Sequence, residues 1–351
     1  MKKNKIFPLT FLTLSVLALL SKSIFITSCG NSGGTNGKTP IVEEEKIVLK
    51  PAPVFNGDSA YQFVKAQVDF GPRNPNSEGH KKCGDYLINQ LKSFGFETIS
   101  QDFDAIAYDG KILKSRNIIG IFNPKATTRI LLAAHWDTRP MNDKEEKDST
   151  KYTPIEGAND GASGVGILLE LARTISLAEK KPDVGIDIIF FDSEDYGQPE
   201  NFQGQYKADA WCLGSQYWSK NKHVPNYSAY YGILVDMAGA ANAKFYMEGT
   251  SMQVAPIINN KVWNIAQTAG YGKYFISKPA PMITDDHTYV NNIAKIPMID
   301  IIDYEPNSDG YFPDYHHTSK DNMQIIDKNT LKAVGQTLIQ VLYNEDAGIT
   351  Q

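Results

Sequence analysis

The chain has 351 residues, of which 42% are apolar and 21% charged, the balance of a globular protein with a core to bury. Lys and Arg number 35 against 40 Asp and Glu, a net charge of −5, so no basic excess exists to neutralise a phosphate backbone and nucleic acid is not an expected partner. Three Cys in this length exclude a disulfide scaffold and a Cys-rich zinc module.

In chain order, Lys2, Lys3 and Lys5 form a positive start, followed by an apolar run from Ile6 to Leu20. At about fifteen residues the run is short for a membrane span and suits a signal peptide. Ile26-Thr27-Ser28-Cys29 then resembles a bacterial lipobox. That resemblance implies removal of residues 1–28 and lipidation of Cys29. The expected product is an exported bacterial lipoprotein that meets the membrane only through its lipid. No acid directly follows Cys29, which favours the periplasmic side. Residues 29–58 read as the lipidated Cys and a tether, Gly/Asn/Ser/Thr-rich from Gly30 to Lys38, with an acidic run at Glu43–Glu45. Cys83 and Cys212 either pair or stay buried as free thiols.

Residues 59–351 show no repeat and no second linker, and read as one catalytic domain. Leu87, Leu91 and Phe94 have helical spacing within Asp85–Phe94, and Gly95 suits the cap. Arg129–Ala134 (RILLAA) predicts a buried strand. Gly161–Ala178 predicts a helix with Val165, Leu168, Leu169, Ala172 and Ile175 on one face. Asp187–Phe191 (DIIFF), Tyr231–Val235 (YGILV) and Ile296–Ile302 (IPMIDII) are further strands, and Pro256–Gly270 and Thr330–Tyr343 further helices. This alternation predicts an α/β fold, a mostly parallel mixed sheet covered on both faces.

The conspicuous polar residues follow those strands. RILLAA runs into His135-Trp136-Asp137, DIIFF into Asp192-Ser193-Glu194-Asp195, and YGILV into Asp236. Open α/β sheets build their sites at the carboxyl ends of strands. Asp160, in Gly157-Ala158-Asn159-Asp160-Gly161, stands where a helix begins, as a ligand or as a helix cap. Imidazole with several carboxylates and no Cys suits a zinc ion with an open position. Adjacent acids such as Glu194 and Asp195 project to different sides, so one can hold metal while the other serves as acid or base. Thr284-Asp285-Asp286-His287 and His316-His317-Thr318 offer further candidates. Trp136 and Trp211 are candidate walls for a small substrate, with Tyr196 nearby in sequence. The acidic loop Asn142–Asp148 reads as a solvated insertion that could rim the cleft.

HWD at 135–137, GANDGASG at 157–164, DSED at 192–195, LVDM at 234–237, TDDH at 284–287 and HHTSKDN at 316–322 resemble the M28 zinc-peptidase family. Within it the chain is most similar to the bacterial, animal-type glutaminyl cyclases. The resemblance implies a three-layer αβα fold around a twisted sheet, metal ligation by Asp160, Asp195 and His317, and Glu194 as acid and base. It implies peptide or protein substrates with N-terminal Gln, closed to pyroglutamate with loss of ammonia. In the peptidases, His135 and Asp236 complete a second zinc position. In the cyclases one zinc is usual, and Asp236 and Asp285 join a hydrogen-bond network with the catalytic Glu. His135, Asp137 and His316 are thus candidates for a second metal or for supporting contacts. A dizinc aminopeptidase is the alternative. Two departures stand out: Asp195 replaces the Glu of animal cyclases and most peptidases, and His316 stands where the animal cyclases carry Trp.

Overall fold

The computed structural model describes residues 47–145, 151–199 and 201–345. The expected signal segment, Cys29, the Gly-rich tether and Glu43–Glu45 lie outside these residues, as does the 146–148 part of the acidic loop. The elements in order are α1 Gly57–Val68, α2 Glu78–Ser93, β1 Glu97–Ile106, β2 Ile112–Phe122, β3 Arg129–His135, α3 Ala162–Leu177, β4 Gly185–Phe191, α4 Leu213–Lys220, β5 Tyr231–Asp236, β6 Phe245–Met247, α5 Gly249–Val254, α6 Pro256–Thr268, β7 Phe275–Pro279, α7 Asp286–Tyr289, β8 Met298–Ile302 and α8 Lys328–Asn344. Among the described residues no helix is long and apolar enough to cross a membrane.

Six strands form the main sheet in the order β1-β2-β4-β3-β5-β8. β3 pairs in parallel with β4 (Ala134 opposite Phe190) and with β5 (Ala133 opposite Leu234), and β5 pairs in parallel with β8. The β1–β2 and β2–β4 pairs are antiparallel, so the sheet is mixed and its centre parallel, as expected. From β3 the chain crosses to β4 on one side and then returns to β5 on the other. That reversal leaves a crevice beyond the carboxyl ends of β3, β4 and β5.

The strand period of two sorts the buried side chains onto two faces. Ile130, Leu132 and Ala134 pack into one apolar layer with Val64, Leu87, Leu168 and Leu338 of α1, α2, α3 and α8. Leu131 and Ala133 pack on the other face with Trp218 of α4 and Val290. The predicted stripe of α3 is buried throughout, and its other side is buried too, because α1 and α8 cover it. Gly164 lets α3 lie against the sheet: a Cβ there would fall 2.1 Å from the Val235 carbonyl oxygen.

The structure corrects the tether boundary at residue 58. Phe55 is buried, its N–H donates to Gln336 Oε1 (2.8 Å), and Gln340 Nε2 donates to the Lys50 carbonyl (2.8 Å). The described residues before α1 therefore run along α8 as part of the domain. Cys83 and Cys212 are separate buried thiols.

Candidate active site

The pleat decides what the end of β3 offers. His135 and Asp137 face the crevice and Trp136 faces the other way. Trp136 is wholly buried, stacks on His80 (centroids 4.3 Å apart) and donates from Nε1 to the Arg116 carbonyl (3.1 Å). It is a core residue, which corrects its expected place in the substrate wall. Tyr196 is likewise turned away, accepting from Lys111 Nζ at 3.0 Å.

Asp137 accepts from the backbone N–H of Glu194 (3.0 Å) and of Asp195 (3.2 Å). Both of its oxygens are thereby spent on shaping the turn after β4, so its place is among the supporting contacts. In that turn Asp192 faces His80 through both oxygens (2.9 and 2.8 Å to Nε2) and accepts from the Arg116 N–H (2.6 Å). Ser193 then takes a left-handed conformation (φ 55°), and the next two acids diverge as predicted. Asp195 is buried, while Glu194 lines the cavity. The Cys212 thiol donates to Glu194 Oε1 at 3.1 Å.

Asp160 is not a helix cap. Gly161 holds that position with φ 83° and no capping side chain. A Cβ on Gly161 would fall 2.9 Å from the Asp137 carbonyl oxygen and 3.0 Å from that of His135. Its absence lets the loop press onto the end of β3. Asp321 fixes the loop from below, accepting from the N–H of Asn159 (2.6 Å) and of Asp160 (3.0 Å).

Asp160 then stands between two imidazoles. Its Oδ1 lies 3.0 Å from His135 Nε2, which also lies 3.1 Å from Asp236 Oδ1. Its Oδ2 lies 3.6 Å from His317 Nε2, which in turn lies 3.1 Å from Asp195 Oδ1. His316 Nε2 stands farther away, 3.8 Å from Asp160 Oδ2, and its Nδ1 meets Lys144 Nζ at 2.8 Å. His317 has φ 58°, the left-handed turn that aims its ring inward. Trp211 stacks on that ring, with centroids 5.7 Å apart and planes within 6°. Asp160, Glu194, Trp211, Asp236, Asp285 and His317 line one cavity of about 320 Å³.

The charges are crowded. Burial pushes Asp236 up to about 6, with Asp285 and Asp160 adding and His135 opposing. Burial also holds Glu194 well above the usual carboxylate range; Asp285, Asp195 and Asp286 reinforce this, and His135 works against it. Behind them Asp285 and Asp300 face each other. Burial raises both, and the charge and contact of Asp285 raise Asp300 further, with the charges of Asp236 and Glu248 adding. Asp285 Oδ2 and both Asp300 oxygens are buried without a hydrogen-bond partner. Two carboxyls in that position share a proton. His287 follows, with Nδ1 3.7 Å from Asp300 Oδ2 and Nε2 3.2 Å from Glu248 Oε2.

A zinc ion with bonds of about 2.0–2.2 Å places its tetrahedral ligand atoms about 3.3 Å apart. The His317–Asp195 and His317–Asp160 separations bracket that value. Both Asp195 oxygens are buried with no hydrogen-bond partner, Arg139 Nη1 standing 3.7 Å from Oδ1, and a bound cation would relieve the cost of that burial. Burial, with His316 and Arg139 adding, lowers His317 well below the usual imidazole range, so its lone pair is free for a metal. Ligand atoms of Asp160, His316 and His317 lie within 4.8 Å of one another, as do those of His135, Asp160 and Asp236; with Asp195 beside His317, the residues present fit zinc.

A fold of this topology with carboxylates and imidazoles at its switch point defines a class, and the chain matches the model of Peptidase family M28 over residues 117–342. It belongs to that family. Among its relatives of known structure, the Bacteroides thetaiotaomicron glutaminyl cyclase is 54% identical, with a TM-score of 0.82, over 84% of this chain and 100% of that one. A Zn-dependent exopeptidase from Parabacteroides distasonis gives the same identity, TM-score and coverage. The glutaminyl-peptide cyclotransferase of Dictyostelium discoideum is 25% identical over 74% of this chain and 77% of its own.

Proposed function

We propose that this protein is a zinc-assisted glutaminyl-peptide cyclotransferase, closing N-terminal Gln of peptides to pyroglutamate with release of ammonia. The observation that carries the reading is the 54% identity, across the whole of that enzyme's structure, to a bacterial glutaminyl cyclase. Asp160, Asp195 and His317 would hold the zinc, which when bound polarises the side-chain amide carbonyl. Glu194 takes a proton from the α-amine, which attacks the amide carbon. Glu194 then hands the proton to the departing ammonia. Nucleophile and electrophile belong to one residue, so the cavity's main task is to hold them in contact. The Asp285–Asp300 pair retains its proton and keeps one fewer negative charge beside Glu194.

We assign one zinc per chain. His135 Nε2 lies within hydrogen-bond distance of both Asp160 and Asp236, so an N–H there occupies both carboxylates without a second ion. The same trio is what a dizinc aminopeptidase would use, and this is the second reading. The lipobox at Ile26–Cys29 supports an exported lipoprotein anchored through Cys29 on the periplasmic side, with newly exposed N-terminal Gln on exported chains as the substrate pool.

The test is ammonia release from a Gln-initiated peptide, run beside amine release from an aminoacyl anilide, with zinc counted per chain. We expect ammonia release that a chelator abolishes, no anilide cleavage and one zinc. Glu194→Gln should lower turnover by about a thousandfold or more with zinc retained. Anilide cleavage with two zincs, or full activity in Glu194→Gln, refutes the reading.

A further inference from the structure

Behind the proposed ligands lies a side chain with no part in the reaction described above. Arg139, four residues after His135, is a completely buried cation. Its Nε and Nη2 each meet one oxygen of Asp143 at 2.6 Å, a fork-on-carboxylate pair. Its Nη1 donates to the Asp195 carbonyl at 2.9 Å and lies 3.7 Å from Asp195 Oδ1. Its guanidinium plane covers Trp211 at 4.6 Å, and Trp211 is the ring stacked on His317. Asp143 Oδ1 also lies 3.8 Å from His317 Nδ1.

One planar cation therefore touches the backbone of Asp195 directly and reaches the imidazole of His317 by two routes, through Trp211 and through Asp143. The two ligands come from the β4 turn and from the chain before α8, and nothing in local sequence fixes their separation. A guanidinium can do this because its donors keep fixed directions, and an ammonium cannot because its donors rotate. We propose that Arg139 is a positioning residue that pre-sets the Asp195–His317 spacing, so that the metal site exists before the metal enters. The proposal rests on the reading that Asp160, Asp195 and His317 are the zinc ligands, and it requires no particular substrate.

The test is zinc affinity of metal-stripped full-length protein, measured by competition with a chromophoric chelator and no peptide present. Arg139→Lys keeps the charge and removes the fork. It should bind zinc about tenfold to a hundredfold more weakly than the parent. Trp211→Ala, a cavity-wall change that spares the buried fork, should weaken binding in the same direction. The double variant should fall short of the product of the two single effects, since Arg139→Lys already cuts the route through Trp211. Should Arg139→Lys fail to fold, Asp143→Asn, which loosens the fork, should weaken zinc binding in the same direction. Parent protein that binds no zinc overturns the ligand reading and this proposal with it. Parent protein that binds zinc while the variants match it, or effects that simply multiply, overturns the positioning role alone.

Discussion

Glu248 is a buried acid whose worth can be worked out from its surroundings. It caps α5, accepting at Oε1 from the N–H of Thr250 (2.7 Å) and of Ile283 (3.0 Å), and at Oε2 from the N–H (2.7 Å) and hydroxyl (2.9 Å) of Ser251. His287 Nε2 stands 3.2 Å from Oε2. Burial alone would push this carboxyl up; the contact and charge of His287 and the two cap N–H groups outweigh it and hold it at about 2, against an ordinary 4.5. At about 1.4 kcal/mol for each tenfold change in proton affinity, the depression corresponds to about 3 kcal/mol of folding stability. The sign follows from the depressed value: the stabilisation is fully present above pH 4.5 and is lost as pH falls from there toward 2. Glu248→Gln removes the charge and turns an NH₂ group toward donors. We expect about 3 kcal/mol lower stability at pH 7 in urea unfolding followed by Trp fluorescence. The gap between parent and variant should shrink steadily below pH 4.5. A variant within 1 kcal/mol of the parent at pH 7, or a gap that does not change on acidification, would show that the donors are not concentrated on this carboxylate as described.

Two further expectations concern parts of the frame. Gly164→Ala should destabilise the domain by about 1–3 kcal/mol, because the new methyl must displace α3 from the Val235 carbonyl; an unchanged melting temperature would contradict the close approach. Cys212→Ala should lower kcat on a Gln-peptide about fivefold with KM unchanged, and Cys212→Ser, which keeps a donor for Glu194, should restore most of it; equal rates in all three proteins would remove the thiol from the account of Glu194.

What the sequence made legible follows from burial. β3, β4 and β5 lie within the sheet with both faces covered, so they read as unbroken apolar runs, and the polar residues that interrupt them mark where the crevice begins. The β1–β2 hairpin was missed because β1 is an edge strand. Glu97–Ile106 alternates half-buried, exposed and charged residues, a pattern weaker than an apolar run. Trp136 was misplaced although the signal was present: a strand that turns His135 and Asp137 toward the crevice must turn the residue between them to the back. Arg139, Asp321 and Cys212 were out of reach for another reason. Each is a buried polar group whose partner lies far along the chain, such as Asp195 for Arg139 or Asn159 for Asp321. Periodicity carries no information about such pairs. The preference for His317 over His316 rests on the family pattern; the two rings stand 3.6 and 3.8 Å from Asp160 Oδ2, and His317 also lies 3.1 Å from Asp195 Oδ1.

The proposed ligands come from three segments separated by tens to hundreds of residues, and only Glu194 beside Asp195 and His316 beside His317 add a further donor next to them in sequence. An unfolded chain would offer an ion only single side chains or adjacent pairs, each of weak affinity. Metal loading therefore belongs at the end of maturation, and the ion, once seated, draws the folding equilibrium toward the native state in proportion to its free concentration. Scarcity of zinc in the surroundings would thus show itself first as shortened lifetime of the folded protein, ahead of any change in the rate of the molecules that remain loaded.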